Sequence, residues 1–143
     1  MTIEVPSAIS TRYGHARCVV CGSLNPRSLK LAFQPAGKGA VTAWFQASPE
    51  LQGYAGMLHG GIIASLLDAA MTHCLFFQKI QAVTGDLHVR FLQPIPCEIS
   101  LEIFARILSS RPPVYRLRAE IGLDGQIVAW AEAKFMQRQL HHG

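Results

Sequence analysis

The residues best suited to chemistry lie in one stretch, Met57-Leu-His59-Gly60-Gly61-Ile-Ile-Ala-Ser65-Leu-Leu-Asp68. Two glycines at the start of a helical pattern leave backbone amides unshielded, and those amides carry the positive end of the helix dipole. A carbonyl oxygen that develops negative charge is stabilised at such a place, as in an oxyanion hole. Glycine also lets a ligand approach the backbone closely. Asp68 follows within the same run, and Ser65, Asp68 and Thr72 fall at i, i+3 and i+7, on one polar stripe of an otherwise apolar helix. A carboxylate there is costly to bury unless it is paired or used. Two readings stand: a carboxylate with chemical work to do, or one that satisfies a loop or a buried donor at a subunit contact.

Three other groups invite chemistry. Cys18-Val-Val-Cys21 with His15 upstream offers thiolate and imidazole at metal-ligand spacing. A structural zinc site takes four ligands, and the chain has no second Cys-x-x-Cys, so these residues are expected to pack a loop and no metal is expected. No βαβ context surrounds the pair to suggest redox work. His73 sits off the polar stripe among apolar residues and reads as a satisfied core or interface histidine. Trp44, Phe76 and Phe77 read as core, Cys74 as part of the helix core and Cys97 as a strand residue. Arg90, Arg106, Arg111, Arg116 and Arg118 make the second half basic, as a solvated sheet face would be.

The elements that must position these groups follow from periodicity. Residues 1–28 are irregular. Leu29, Leu31 and Phe33 alternate with polar or small residues, a turn follows at Pro35–Gly39, and Ala40–Ala47 is strand-like, so an opening hairpin is expected. A glycine-rich loop then leads into one long helix from Gly60 to about Gln78. It is apolar nearly all round and therefore belongs in the centre of the protein. Four strands follow. In the first, Val83, Gly85, Leu87, Val89 and Phe91 oppose Thr84, Asp86, His88 and Arg90. The others run over Ile99–Leu108, Tyr115–Leu123 and Ile127–Phe135, the last two joined at Asp124-Gly125. The order β-β-α-β-β-β-β, with short links that force antiparallel pairing, predicts an α+β fold: one curled antiparallel sheet around a central helix.

The chain has 143 residues, a net charge of +4, 50% hydrophobic and 15% charged residues. This excludes a disordered tail and suits one domain over 1–143, with residues 139–143 expected to be disordered. The charge is too small and dispersed for nucleic acid but suits an anionic small ligand. Met1–Ser10 lacks the pattern of a secretory signal. The run Ile62–Phe77 reads as too short and too interrupted to span a bilayer. With cysteines expected to stay reduced, the expected compartment is the cytoplasm.

These residues together resemble a known family. His59-Gly60-Gly61 with Asp68, preceded by Gly53-Tyr-Ala-Gly56, is similar to the hotdog-fold acyl-CoA thioesterases of the phenylacetate-pathway (PaaI-like) group. Cys18-Val-Val-Cys21-Gly22 followed by Asn25-Pro26, the strand Val83–Pro94 and the closing strand Gly125–Phe135 agree with it. The resemblance implies hydrolysis of an aromatic or medium-chain acyl-CoA thioester, without cofactor, in a site shared across a homodimer or dimer of dimers. The Gly60 amide would polarise the carbonyl. Asp68, reaching in from the partner subunit, would act as general base on water or as nucleophile. His59 would shape the site, and Thr72 would orient the carboxylate or the water. Gly61, Ser65, Asp86, His88 and Arg90 are the expected substrate-binding residues, and one or two of the arginines would meet the coenzyme A phosphates. Relatives often carry Asn where this chain has Gly53, and an acid where it has Ala69. The alternative is a non-catalytic acyl-CoA or ligand-binding hotdog protein; the His/Asp arrangement of hotdog hydratases is not found.

Overall fold

A computed structural model describes Ile9 and residues 12–138; the expected disordered tail, with His141 and His142, lies outside these residues. The elements run β1 (Gln34–Pro35), β2 (Ala40–Gln46), α1 (Gly60–Phe77), β3 (Ala82–Phe91), β4 (Ser100–Arg111), β5 (Val114–Leu123) and β6 (Gln126–Gln137). They form one antiparallel sheet in the order β1-β2-β4-β5-β6-β3, and the sheet curls around α1. This is the hotdog arrangement expected from the sequence.

Strand alternation explains how the sheet closes on the helix. Leu101, Ile103 and Ala105 of β4, Leu117, Ala119 and Ile121 of β5, and Ala129, Ala131 and Phe135 of β6 all point inward and are buried. Small alanines on adjacent strands (Ala105 opposite Ala119, Ala119 opposite Ala131) let the sheet approach the helix closely. Eleven of the 18 residues of α1 are buried, from Ile63 to Phe76. By length and composition α1 does match a membrane span, contrary to expectation. Its burial in the sheet's concave face accounts for that apolarity.

Several local expectations are corrected. The segment Leu29–Phe33 is not a strand of the sheet; only Gln34–Pro35 pairs with β2. Its alternation is real, since Leu31 and Phe33 are buried, but the backbone bonds elsewhere: the Leu29 and Leu31 amides donate to the Val19 and Val20 carbonyls at 3.0 Å each. Trp44 lies on the outer face opposite Glu102 and is exposed, not core. Cys97 lies outside the strands, its amide bonded to the Gly56 carbonyl at 3.0 Å. In β6 a register shift between Ile121 and Gly122 turns Ile127 outward, and Val128 is buried instead.

The most consequential irregularity is in β3. Its pairing with β6 slips between Thr84 and Asp86, a bulge at Gly85. Past the bulge, Leu87, Val89 and Phe91 face inward opposite Ala133, Ala131 and Ala129. Before it, Thr84 faces inward opposite buried Phe135, so straight alternation assigns it to the wrong face. β3 is also the sheet's outer strand, with its far edge unpaired among the described residues.

Candidate functional site

The His-Gly-Gly motif is one structural unit. His59 caps α1, and its Nδ1 accepts a hydrogen bond from the Gly61 amide at 2.8 Å, which places the imidazole proton on Nε2. A Cβ on Gly61 would stand 3.1 Å from that ring, so a side chain at 61 would crowd the cap. Gly53 packs against the other side, where a Cβ would lie 3.2 Å from His59 Cδ2. The preceding loop is pinned by the His59 amide on the Leu51 carbonyl (2.9 Å) and the Leu58 amide on Ile95 (2.8 Å). Among the described residues the Gly60 amide bonds to nothing. It is the open donor at the positive end of the helix.

That amide borders an open, largely apolar groove of about 610 Å³, lined by Tyr54, Met57, His59, Gly60, Phe91 and Leu92 among others. The Phe91 ring stands 3.5 Å from where a Gly60 Cβ would be. Tyr54, Met57, Phe91 and Leu92 are exposed, an apolar rim that a lone chain leaves in water.

Asp68 lies eight residues along the same helix from Gly60, about 12 Å by the helical rise, and lines different cavities. Its Oδ1 accepts a hydrogen bond from the Thr84 hydroxyl at 2.6 Å. Burial pushes its carboxyl above the ordinary range; the Thr84 bond opposes this, nearby Cys18 adds to it and His15 subtracts. A carboxylate so placed is more basic than a free one. Thr84 is the residue that sequence reasoning missed, and the signal was Gly85: a glycine inside a strand pattern marks a bulge.

Other expectations change with the geometry. Thr72 does not orient the Asp68 carboxylate; its hydroxyl donates to the Asp68 backbone carbonyl at 2.9 Å, four residues back along the helix. The Ser65 hydroxyl is likewise turned to the Gly61 carbonyl at 2.8 Å. Asp86, His88 and Arg90 face away from the helix on the outer sheet surface, opposite Lys134, Glu132 and Trp130. There Arg118 lies 4.4 Å over the Trp130 ring and pairs with Glu120 (3.6 Å) and Glu132 (3.3 Å). Within one chain these three therefore do not join Gly60 or Asp68. His73 is buried as expected but not satisfied: among the described residues neither ring nitrogen has a hydrogen-bond partner, and burial drives its pKa down to about 4.

Residues 55–120, from the loop before α1 through most of β5, match the sequence profile of the Thioesterase superfamily. Over that stretch, just under half of its length, the chain is similar to the Thioesterase superfamily. A curated relative, the acyl-coenzyme A thioesterase THEM4 of Bos taurus, is 38% identical over 52 residues, 36% of this chain and 21% of that protein. The chain thus spans about a fifth of the length of that relative. Among solved structures, the thioesterase-superfamily protein RHA08564 superposes with a TM-score of 0.81 at 20% identity, over 95% of this chain and 71% of that one. A thioesterase described as phenylacetic acid degradation-related, from Ralstonia eutropha, superposes with a TM-score of 0.68 at 24% identity, over 76% and 85%. At these identities the superpositions establish the fold alone, one antiparallel sheet curled around a central helix.

With the role for Asp68 that the resemblance implies, Thr84→Val is expected to shift the pH dependence of turnover. In Thr84→Val the carboxylate loses the hydrogen bond that holds its pKa down, so the acid limb of kcat/KM should move to higher pH. The alkaline plateau should stay within about two-fold of wild type. A pH–rate profile superimposable on wild type would show that the Thr84 bond does not tune the reacting group.

Proposed function

We propose that the protein hydrolyses acyl-CoA thioesters, in the manner of the PaaI-like group, at sites shared between two copies. The observation that carries this reading is the division of labour on α1: an open Gly60 amide at an apolar groove, and a basic carboxylate about 12 Å away by the helical rise. No single chain presents both groups to one cavity. Two copies paired along the free β3 edges would bring Asp68 of one toward Gly60 of the other. They would also cover the edge and the apolar rim.

In the proposed reaction the thioester oxygen accepts the Gly60 N–H and the acyl group lies in the groove. Water attacks the carbonyl carbon as Asp68 takes its proton; the tetrahedral intermediate then breaks its C–S bond, and the coenzyme A thiolate leaves with that proton. Attack by the carboxylate itself, followed by hydrolysis of the anhydride, uses the same two groups. Thioesters have weak resonance and a good leaving group, so one polarised carbonyl and one activated oxygen suffice. His59, by occupying the Gly61 amide, leaves Gly60 as the donor facing the groove. The groove's volume suits an aromatic or medium-length acyl chain. None of the four cysteines is in a disulfide, which supports a reducing, cytoplasmic setting.

Thiol release over a panel of aromatic and straight-chain acyl-CoAs, with light scattering on the same sample, tests both halves of the reading. Turnover by a species of at least dimeric mass is expected. A monomer at micromolar concentration that still turns over would overturn the shared site. Acyl-CoA binding without release would favour the ligand-binding alternative.

A further inference from the structure

The loop before β1 gathers three metal-ligating side chains that the thioesterase reading leaves unused. His15, Cys18 and Cys21 offer one ligand atom each, all within 4.8 Å of one another, and His15 Nδ1 stands 3.4 Å from Cys21 Sγ. Tetrahedral zinc with bonds of ~2.0–2.3 Å places neighbouring ligand atoms ~3.3–3.8 Å apart, so the spacing needs little adjustment.

The backbone is built around these sulfurs. The Val20 amide donates to Cys18 Sγ at 3.3 Å, the kind of outer contact that fixes a thiolate ligand's direction. The turn is closed by the Gly22 amide on the Cys18 carbonyl at 2.9 Å and the Cys18 amide on His15 at 3.0 Å. A Cβ on Gly22 would come within 2.4 Å of the Cys18 nitrogen, so the turn takes only glycine there. Asn25 holds the outer end: its side chain donates to the Arg17 carbonyl (3.1 Å) and accepts from the Arg27 amide (2.9 Å).

A second, independent observation comes from the helix beneath. The three ligands line a cavity of about 290 Å³ whose other wall includes Asp68, Thr72 and His73. His73 is 1% exposed, and among the described residues neither ring nitrogen has a hydrogen-bond partner. Buried polar atoms in that condition are rare and mark a missing partner such as an ion or water.

We propose that His15, Cys18 and Cys21 bind a divalent cation of the zinc class, with the fourth coordination position open to the cavity lined by Asp68 and His73. Three protein ligands and one open position distinguish this from a closed structural knot. The ion would sit in the loop facing α1 at the level of Asp68, and so form one wall of the space around that carboxylate.

The test uses the full chain, stripped of metal under reducing conditions and titrated with Co²⁺ and then Zn²⁺. One equivalent per chain is expected, with thiolate-to-cobalt absorption in the near ultraviolet that zinc displaces. Cys18→Ser and Cys21→Ser should each lose most of that absorption, His15→Ala should bind about 10–100-fold more weakly, and Cys97→Ser should match wild type. Protection mapping on the wild-type chain guards against misfolded variants: zinc should shield Cys18 and Cys21 from alkylation and leave Cys97 unchanged. Metal content well below one equivalent, binding indifferent to both cysteine variants, or a Cys18–Cys21 disulfide in the anaerobically reduced chain would each overturn the site.

Discussion

Asp68→Asn is expected to lose about 10²–10⁴-fold in kcat/KM, the range a positioned proton-transfer group contributes, while the protein becomes more stable. The two effects share one cause. Burial raises the Asp68 pKa, so the fold favours the protonated carboxyl. Its contribution to stability is therefore fully present below the unfolded-state value and is lost as pH rises through the folded value. At neutral pH the ionised carboxylate costs stability. Asn is neutral at every pH and its side-chain oxygen still accepts from Thr84. Relief of about 1 kcal/mol corresponds to a rise of roughly 2–4 °C in Tm for a chain near this size. The rise should shrink as pH falls toward the ordinary Asp value of 3.8, where wild type is itself protonated. Thiol release and thermal melts at pH 4 and pH 7.5 check both. A variant that keeps most of its turnover removes Asp68 from the chemistry. A Tm gain equal at the two pH values would mean the carboxylate is not strained by burial.

The second large effect is expected from Gly60→Pro, which removes the amide hydrogen with little else. Gly60 is the first helical residue after the His59 cap, and proline is well tolerated there because its fixed φ suits the helix and no intrahelical bond is lost. The residue before proline must be extended, and His59 already is, at φ −64° and ψ 136°. A loss of one oxyanion donor costs about 10²–10³-fold in kcat. Gly60→Ala separates the donor from the space around it: it keeps the N–H and adds a Cβ at ordinary contact distance, 3.5 Å, from Phe91. The proline variant should therefore fall in kcat, while the alanine variant should show its change chiefly in KM. Equal kcat for Gly60→Pro and wild type, with circular dichroism unchanged, would mean the carbonyl is polarised elsewhere.

Much of this was legible from residue pattern alone. The helix bounds, the antiparallel strands, the His59–Gly61 cap region and the position of Asp68 all follow from periodicity and from glycines placed where a helix begins. What alternation could not show was any break in its own period. Period two carried straight through Gly85 puts Thr84 on the same face as Asp86, and carried back from Ala129 it puts Ile127 on the inner face; the structure breaks both. The outward placement of Asp86, His88 and Arg90 is implicit in that alternation; their place at the substrate came from the resemblance and not from the strand pattern. Thr72 and Ser65 share the Asp68 stripe, yet a hydroxyl inside a helix has its own backbone carbonyl within reach, and that contact prevails. The His15–Cys18–Cys21 cluster was weighed as a motif short of one ligand; only the tertiary structure sets it above a cavity where a buried histidine lacks partners.

The bulge at Gly85 also divides β3 into two parts that can change separately. Its far half carries Leu87, Val89 and Phe91 against the alanine rows of β6 and ends at the Gly60 groove, while its near half brings Thr84 to Asp68. Because the extra residue resets the period between them, a substitution at Thr84 leaves the apolar set and its register in place. Remodelling at Phe91 likewise does not reach the carboxylate. On the proposed reading, acyl preference and the basicity of Asp68 would rest on separate parts of one strand within each chain, so a lineage could vary the groove without moving Thr84 from its carboxylate.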